Sequence, residues 1–210
     1  MDEIQLEIKE YLRDNMGIYS FIIVLFVLGV LAGALALRGL DEGQRLALNH
    51  YFSLFVNSFG GTEALDQSAI FRQSLKTNFQ YLFLTWLLGI FLFGFPFICG
   101  LTVLRGFSVG FTVGFLVERA SFRGILFAIG SVLPHNLLLI PAALVITLTG
   151  FSLSWLRFRC YLEKRPCSVQ EHIGPYTVMI FLVGLALFAG VLVEAYVSPV
   201  FVKLLIPMMR

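Results

Sequence analysis

The chain has 210 residues, of which 58% are hydrophobic and only 13% are charged. Because an ordinary soluble domain is about 25% charged, this composition excludes a soluble globular protein and predicts an all-α membrane protein. The formal net charge of +2 gives no reason to expect a nucleic acid as a partner. The length leaves room for one compact membrane domain that covers residues 1–210.

Apolar runs along the sequence predict a bundle of about five membrane-crossing helices. An uncharged run of about 18 or more residues can cross the hydrocarbon core of a bilayer. We predict spans at 17–38, 79–101, 102–117, 124–156 and 173–195, the fourth of them broken.

Residues 41–60 follow the first span and have the pattern of an amphipathic helix. Asp41 and Gln44 stand at the spacing of a capping box, which stabilises a helix start. One helical face collects the large apolar side chains Leu48, Phe52, Phe55 and Phe59. We predict that this helix lies in the membrane interface or at the edge of the bundle.

Two groups of glycines stand four residues apart. They are Gly29 and Gly33 in the first span, and Gly106, Gly110 and Gly114 in the third. Small residues at this spacing allow two helix backbones to approach closely in a membrane. We predict that both glycine faces pack inside the bundle. The alternative is that one of them forms the contact surface of a homodimer.

The stretch 124–156 is too long for one straight span and contains Pro134, His135, Asn136 and Pro141. We predict a helix break at Pro134, with His135 and Asn136 bound to the backbone groups that the break frees. The alternative is a ligand, proton or partner site, because polar groups at membrane depth are costly and often functional.

Arg105 interrupts an otherwise apolar run. We interpret it as marking the boundary between two spans, or as pairing with an acid such as Glu194; the alternative is a site for an anionic substrate or lipid headgroup. The sequence has no catalytic motif, no nucleotide loop and no histidines at metal-ligand spacing. We therefore predict that the protein is not an enzyme and has no catalytic residue, metal or cofactor.

The densest positive charge predicts the orientation in the membrane. Arg157, Arg159, Lys164 and Arg165 precede the last span, and the positive-inside rule places such a loop in the cytoplasm. With five spans, the N-terminus is then cytoplasmic and the C-terminus external. The three cysteines lack the pairing motifs of metal or redox sites, so we expect free thiols on the reducing side.

Residues 78–151 resemble the stage II sporulation protein M family of endospore-forming bacteria. The matching pieces are NFQYLFLTWLLGI from Asn78, GFP at 94–96, RGFSVGFTVGFL at 105–116 and SVLPHNLLLIP at 131–141. The first span also looks like the start of that family's proteins. The histidine–asparagine motif after repeated glycines is the most specific of these pieces.

The resemblance implies a function in the cell membrane. Such proteins are multi-pass anchors, not enzymes, on the mother-cell side of the sporulation septum, where they recruit two peptidoglycan-degrading partners, stage II sporulation proteins D and P. We therefore predict a membrane scaffold for septal peptidoglycan degradation during engulfment. The alternative is a transporter or permease subunit with a substrate site at the broken fourth helix.

Overall fold

A computed structural model describes residues 16–60, 67–164 and 169–205. Every element in these ranges is helical, which confirms the predicted all-α membrane bundle. The elements are α1 (Met16–Ala36), a 3₁₀ turn (Leu37–Gly39), α2 (Glu42–Gly60), α3 (Gln67–Ile90), α4 (Gly94–Glu163), α5 (Val169–Leu192), a π-helical turn (Val193–Val197) and α6 (Ser198–Leu205).

Helix α4 consists of two antiparallel arms, Gly94–Arg119 and Arg123–Glu163, each long and apolar enough to cross a membrane. Leu116 of the first arm shares a core cluster with Phe127 of the second, and the two arms therefore lie side by side. The reversal needs a glycine at position 124, because a Cβ there would overlap the backbone of Leu116.

The second arm of α4 is the central helix of the bundle. It contacts α1 through Ile22 and Leu148 and α5 through Leu139 and Leu187. More than half of its most apolar stretch is buried, against about a quarter for the other candidate spans. This position explains its long apolar sequence, since neighbouring helices cover it on several sides.

Four helical stretches in the described ranges are long and apolar enough to span a membrane: Met16–Gly39, Gly94–Arg119, Arg123–Glu163 and Ile173–Leu205. Helix α3 runs antiparallel to the first arm of α4, with Asn78 beside Arg105 and Leu88 beside Ile98. We count α3 as a fifth crossing helix.

Helix α3 is inside-out in comparison with a helix of a soluble protein. Its buried residues are Ser74, Asn78, Thr85 and Gly89, whereas its exposed residues include Phe79, Phe83 and Leu84. The first half of the helix also exposes polar residues, among them Arg72, Gln73 and Lys76, which lower its mean hydropathy. The apolar surface of the second half suits a helix with lipid on its outside.

The predicted boundary between the spans 79–101 and 102–117 is wrong. Helix α3 ends at Ile90, and a new helix begins at Gly94. Pro96 stands in the first turn of that helix, where its missing N–H needs no partner. The Ser154 hydroxyl closes the connection, because it accepts from the Phe95 N–H and donates to the Phe91 carbonyl, at 2.9 and 2.8 Å.

The predicted break in the fourth span, 124–156, is also wrong. The helix continues through both Pro134 and Pro141. Membrane helices tolerate prolines in this way, and the Asn136 side-chain amide adds a hydrogen bond of 2.9 Å to the Val132 carbonyl one turn before it. The last span likewise extends beyond its predicted end at 195, through the π-helical turn and into α6.

Helix α2 forms the predicted amphipathic helix after the first span. Asp41 and Gln44 cap its start through reciprocal hydrogen bonds of 2.7 and 3.2 Å. Phe52 is buried in a cluster with Phe127. A salt bridge of 2.8 Å joins Arg45 to Glu118 and ties α2 to the end of the first arm.

Two ends of the bundle can be distinguished. The basic end holds the start of α1, the turn at 91–93, the end of α4 and the start of α5; the opposite end holds α2, Glu118 and α6. Cys160, at the basic end, is disulfide-bonded, so the expectation of three free thiols is wrong. Cys99 is free, and Cys167 lies outside the described residues.

Candidate functional site

The two glycine faces predicted from the sequence contact each other. Helix α1 runs parallel to the first arm of α4, with Gly29 against Val103 and Gly33 against Phe107. A Cβ at either glycine would overlap the facing backbone. The pair therefore packs with unusually close backbones, as small residues permit in membranes.

The facing glycines on α4 make the matching half of this contact. A Cβ at Gly106 would meet the carbonyl of Phe26, one at Gly110 the carbonyl of Val30, and one at Gly114 the atoms of Ala34 and Leu37. All five predicted glycines thus belong to one interface inside the chain. The interface fixes the position of the first arm, which carries Arg105.

Arg105 lies near the middle of its helix and not at a boundary between spans. It stands 11 residues after Gly94 and 14 before Arg119, or roughly 16 and 21 Å at about 1.5 Å per residue. Its guanidinium donates to Asn78 Oδ1 at 2.9 Å and lies 4.6 Å from the ring centroid of Tyr81. A cation at this depth is costly unless it is held by such partners.

A chain of hydrogen bonds leads from Arg105 to Glu194. The Asn78 amide donates to the Ser74 carbonyl at 3.0 Å, and the Ser74 hydroxyl donates to the Glu194 carboxylate. Glu194 stands in the π-helical turn between α5 and α6, a distortion frequent at functional sites. Glu194 is thus the acid that these hydrogen bonds connect to the Arg105 guanidinium.

His135 and Asn136 form a second hydrogen-bonded group, on the second arm of α4. His135 Nδ1 lies 3.0 Å from the Ser198 hydroxyl, and His135 Nε2 lies 3.2 Å from the Asn136 amide nitrogen. That amide nitrogen can only donate. The hydrogen-bond pattern therefore assigns neutral His135 with its proton on Nδ1.

The network extends toward the basic end through Tyr81, whose hydroxyl lies 2.5 Å from that of Thr147. Five helical elements thus contribute polar groups to the interior of the bundle: α3, both arms of α4, the π-helical turn and α6. The opposite charges of Arg105 and Glu194 compensate each other within it. Such buried polar groups can hold helices in register, or bind and move protons.

The prolines of the sequence motif have different surroundings. Pro134 is half-buried next to His135, whereas Pro141 is exposed on the outside of α4. Within the described ranges, no cluster of three or more histidine, cysteine or acidic side chains could hold a metal ion.

The sequence profile of the family described as stage II sporulation protein M matches residues 22–199. The chain belongs to the stage II sporulation protein M family. It is a multi-pass membrane protein of a sporulation family. Neither a curated protein nor a solved structure matches it.

The stage II sporulation protein M match covers the whole polar network and the glycine interface. Sequence reasoning singled out Arg105, His135 and Asn136, and mentioned Glu194 as a partner of Arg105. It missed Ser74 and Asn78. No signal marked them in the sequence, because other polar residues such as Gln73, Lys76 and Thr77 surround them.

Proposed function

We propose that this protein is a non-enzymatic scaffold that anchors peptidoglycan-degrading enzymes in the septal membrane during endospore formation. The family match over residues 22–199 is the observation that carries the proposal. The partners proposed are stage II sporulation proteins D and P, and the membrane is that of the mother cell.

The surface of the bundle supports a binding role. Large apolar side chains such as Phe79, Phe83 and Phe181 are exposed along α3 and α5, and they offer contact area to lipid or to another membrane helix. Helix α2 adds an exposed surface at the opposite end that includes Leu46 and Tyr51. A scaffold requires such surfaces, and it also requires a bundle stiff enough to present them.

Affinity purification tests the proposal. The tagged protein is isolated from membranes of sporulating cells after mild crosslinking, and the proteins that co-elute are identified. We expect peptidoglycan-degrading enzymes with membrane anchors to be enriched over an unrelated multi-pass protein expressed at the same level. Recovery of the intact protein without any such enzyme would contradict the proposal.

The polar network favours a second function, proton or solute transport. The fourth predicted span is helical through Pro134 and Pro141, so a substrate site there would be formed by side chains and not by freed backbone groups. A path through Glu194 and His135 is the alternative route. A His135→Gln variant separates the functions: a scaffold keeps sporulation and partner binding, whereas a transporter that uses this histidine loses activity while it still binds partners.

A further inference from the structure

A cavity of about 800 Å³ opens at the basic end, between the start of α1, the second arm of α4 and the start of α5. Its walls are mainly apolar and aromatic, and include Ile18, Leu148, Leu153, Trp155 and Met179. The volume lies in the range of sites for small molecules, which are mostly apolar with a few polar groups.

Several polar residues line this cavity along the second arm of α4. Arg159 lines the cavity together with Ser152 and Thr149. The Nε of Arg159 donates to Glu163 at 2.9 Å. Within the described part of the chain, the two terminal nitrogens of this guanidinium make no hydrogen bond, and its side chain is well exposed.

Two further cations stand at the same end of α4, outside the residues that line the cavity. Arg157 and Lys164 stand within one and a half turns of Arg159 along the same helix end, and Glu163 is the acid on that end among the described residues. Basic pockets between membrane helices bind anionic lipid headgroups. A guanidinium can also bind a phosphate through two parallel hydrogen bonds.

We propose that this cavity binds an anionic glycerophospholipid, with its phosphate at Arg159 and an acyl chain between α1, α4 and α5. The apolar depth fits a hydrocarbon chain, and the cationic rim complements the charge of the headgroup. A zwitterionic lipid would bring a second cation to the same rim and bind less well. The site is separate from the polar network, which lies deeper and among other side chains.

Fluorescence quenching tests the site, because Trp155 lines the cavity. In a Trp86→Phe background, Trp155 is the tryptophan that remains. Phosphatidylglycerol with brominated acyl chains is titrated into the purified protein in detergent, and brominated phosphatidylcholine serves as the comparison. We expect quenching at lower concentrations of phosphatidylglycerol than of phosphatidylcholine.

Variants of the rim locate the headgroup. Arg159→Gln should weaken phosphatidylglycerol binding about fivefold, the effect of one basic group near a membrane surface, and leave phosphatidylcholine unchanged. Glu163→Gln should strengthen phosphatidylglycerol binding. Arg38→Gln, an exposed cation at the opposite end, should have no effect.

Three results would overturn the proposal. One is equal affinity for the two lipids. Another is unchanged phosphatidylglycerol binding in Arg159→Gln; the melting temperature of this variant shows whether it is folded, as we expect for a change at an exposed side chain. The third is displacement of phosphatidylglycerol by a polyprenyl phosphate at much lower concentration, which would assign the cavity to a lipid carrier.

Discussion

Arg105 and Glu194 carry opposite charges in the interior of the bundle, and Asn78 and Ser74 connect them. Removing one charge leaves the other without compensation, a change that is costly in a buried environment. Removing both charges avoids that cost. If the two charges interact, the effects of the two substitutions on stability therefore depend on each other.

We therefore predict non-additive effects on stability. Arg105→Gln and Glu194→Gln should each destabilise the protein by about 1–3 kcal/mol, and the double variant should lose clearly less than their sum. Thermal unfolding in detergent measures all three. Arg123→Gln, an exposed cation, is the control, and strictly additive losses would show that the two charges do not interact.

The hydrogen bonds of the Asn136 side chain should also contribute to stability. Asn136→Leu removes the donor to both Val132 and His135, and should destabilise the protein by about 1–3 kcal/mol. His135→Gln should be milder, because an amide can still donate to Ser198 and accept from Asn136. Melting temperatures in detergent compare the two, and a His135→Gln loss as large as that of Asn136→Leu would contradict these roles.

Among the elements, α1 and the first arm of α4 depend most directly on backbone contact. Gly110 faces the carbonyl of Val30, whereas Gly100 of the same arm has open space where its Cβ would be. Both glycines lie within one helix, so the two positions share the same intrinsic cost of a substitution. A comparison of the same substitution at Gly110 and Gly100 therefore measures the effect of helix packing alone.

We predict that Gly110→Leu prevents assembly of the bundle or destabilises it by more than about 3 kcal/mol. Gly100→Leu should leave the protein folded, because its side chain would point outward. The monodispersity and melting temperature of the purified variants measure this difference. Equal monodispersity and equal melting temperatures of the two variants would contradict the proposed role of close glycine packing.

Most elements could be predicted from the sequence because helix length and apolar runs are local properties. The glycine spacing likewise indicated close packing. The partners of a residue are not local: Arg105 and Asn78 are 27 residues apart, and Ser74 and Glu194 are 120 residues apart. The helix through Pro134 was also missed, since its support depends on neighbouring side chains.

At the scale of the whole molecule, two observations about orientation oppose each other. The cations Arg157, Arg159 and Lys164 place the basic end in the cytoplasm, whereas a disulfide-bonded Cys160 is unusual in a reducing compartment. We give more weight to the charges, because they stand at the end of α4, next to a short connection to the last span, where the rule applies best.

Thiol labelling in whole cells decides the orientation. In a variant without native cysteines, Gly39→Cys should react with a membrane-impermeant reagent, whereas Lys164→Cys should react only after the cells are opened. Both positions are exposed. The reverse pattern would show that the basic end is external, the orientation that the disulfide of Cys160 favours.

We propose above all that this protein recruits septal peptidoglycan-degrading enzymes. The most direct measurement is the position of a fluorescently labelled enzyme of this kind in sporulating cells that lack their own family member. With this chain supplied, we predict that the enzyme concentrates at the septum, and that Gly110→Leu abolishes this while Gly100→Leu does not. Septal enzyme in the absence of the protein, or dispersed enzyme in its presence, would contradict the account.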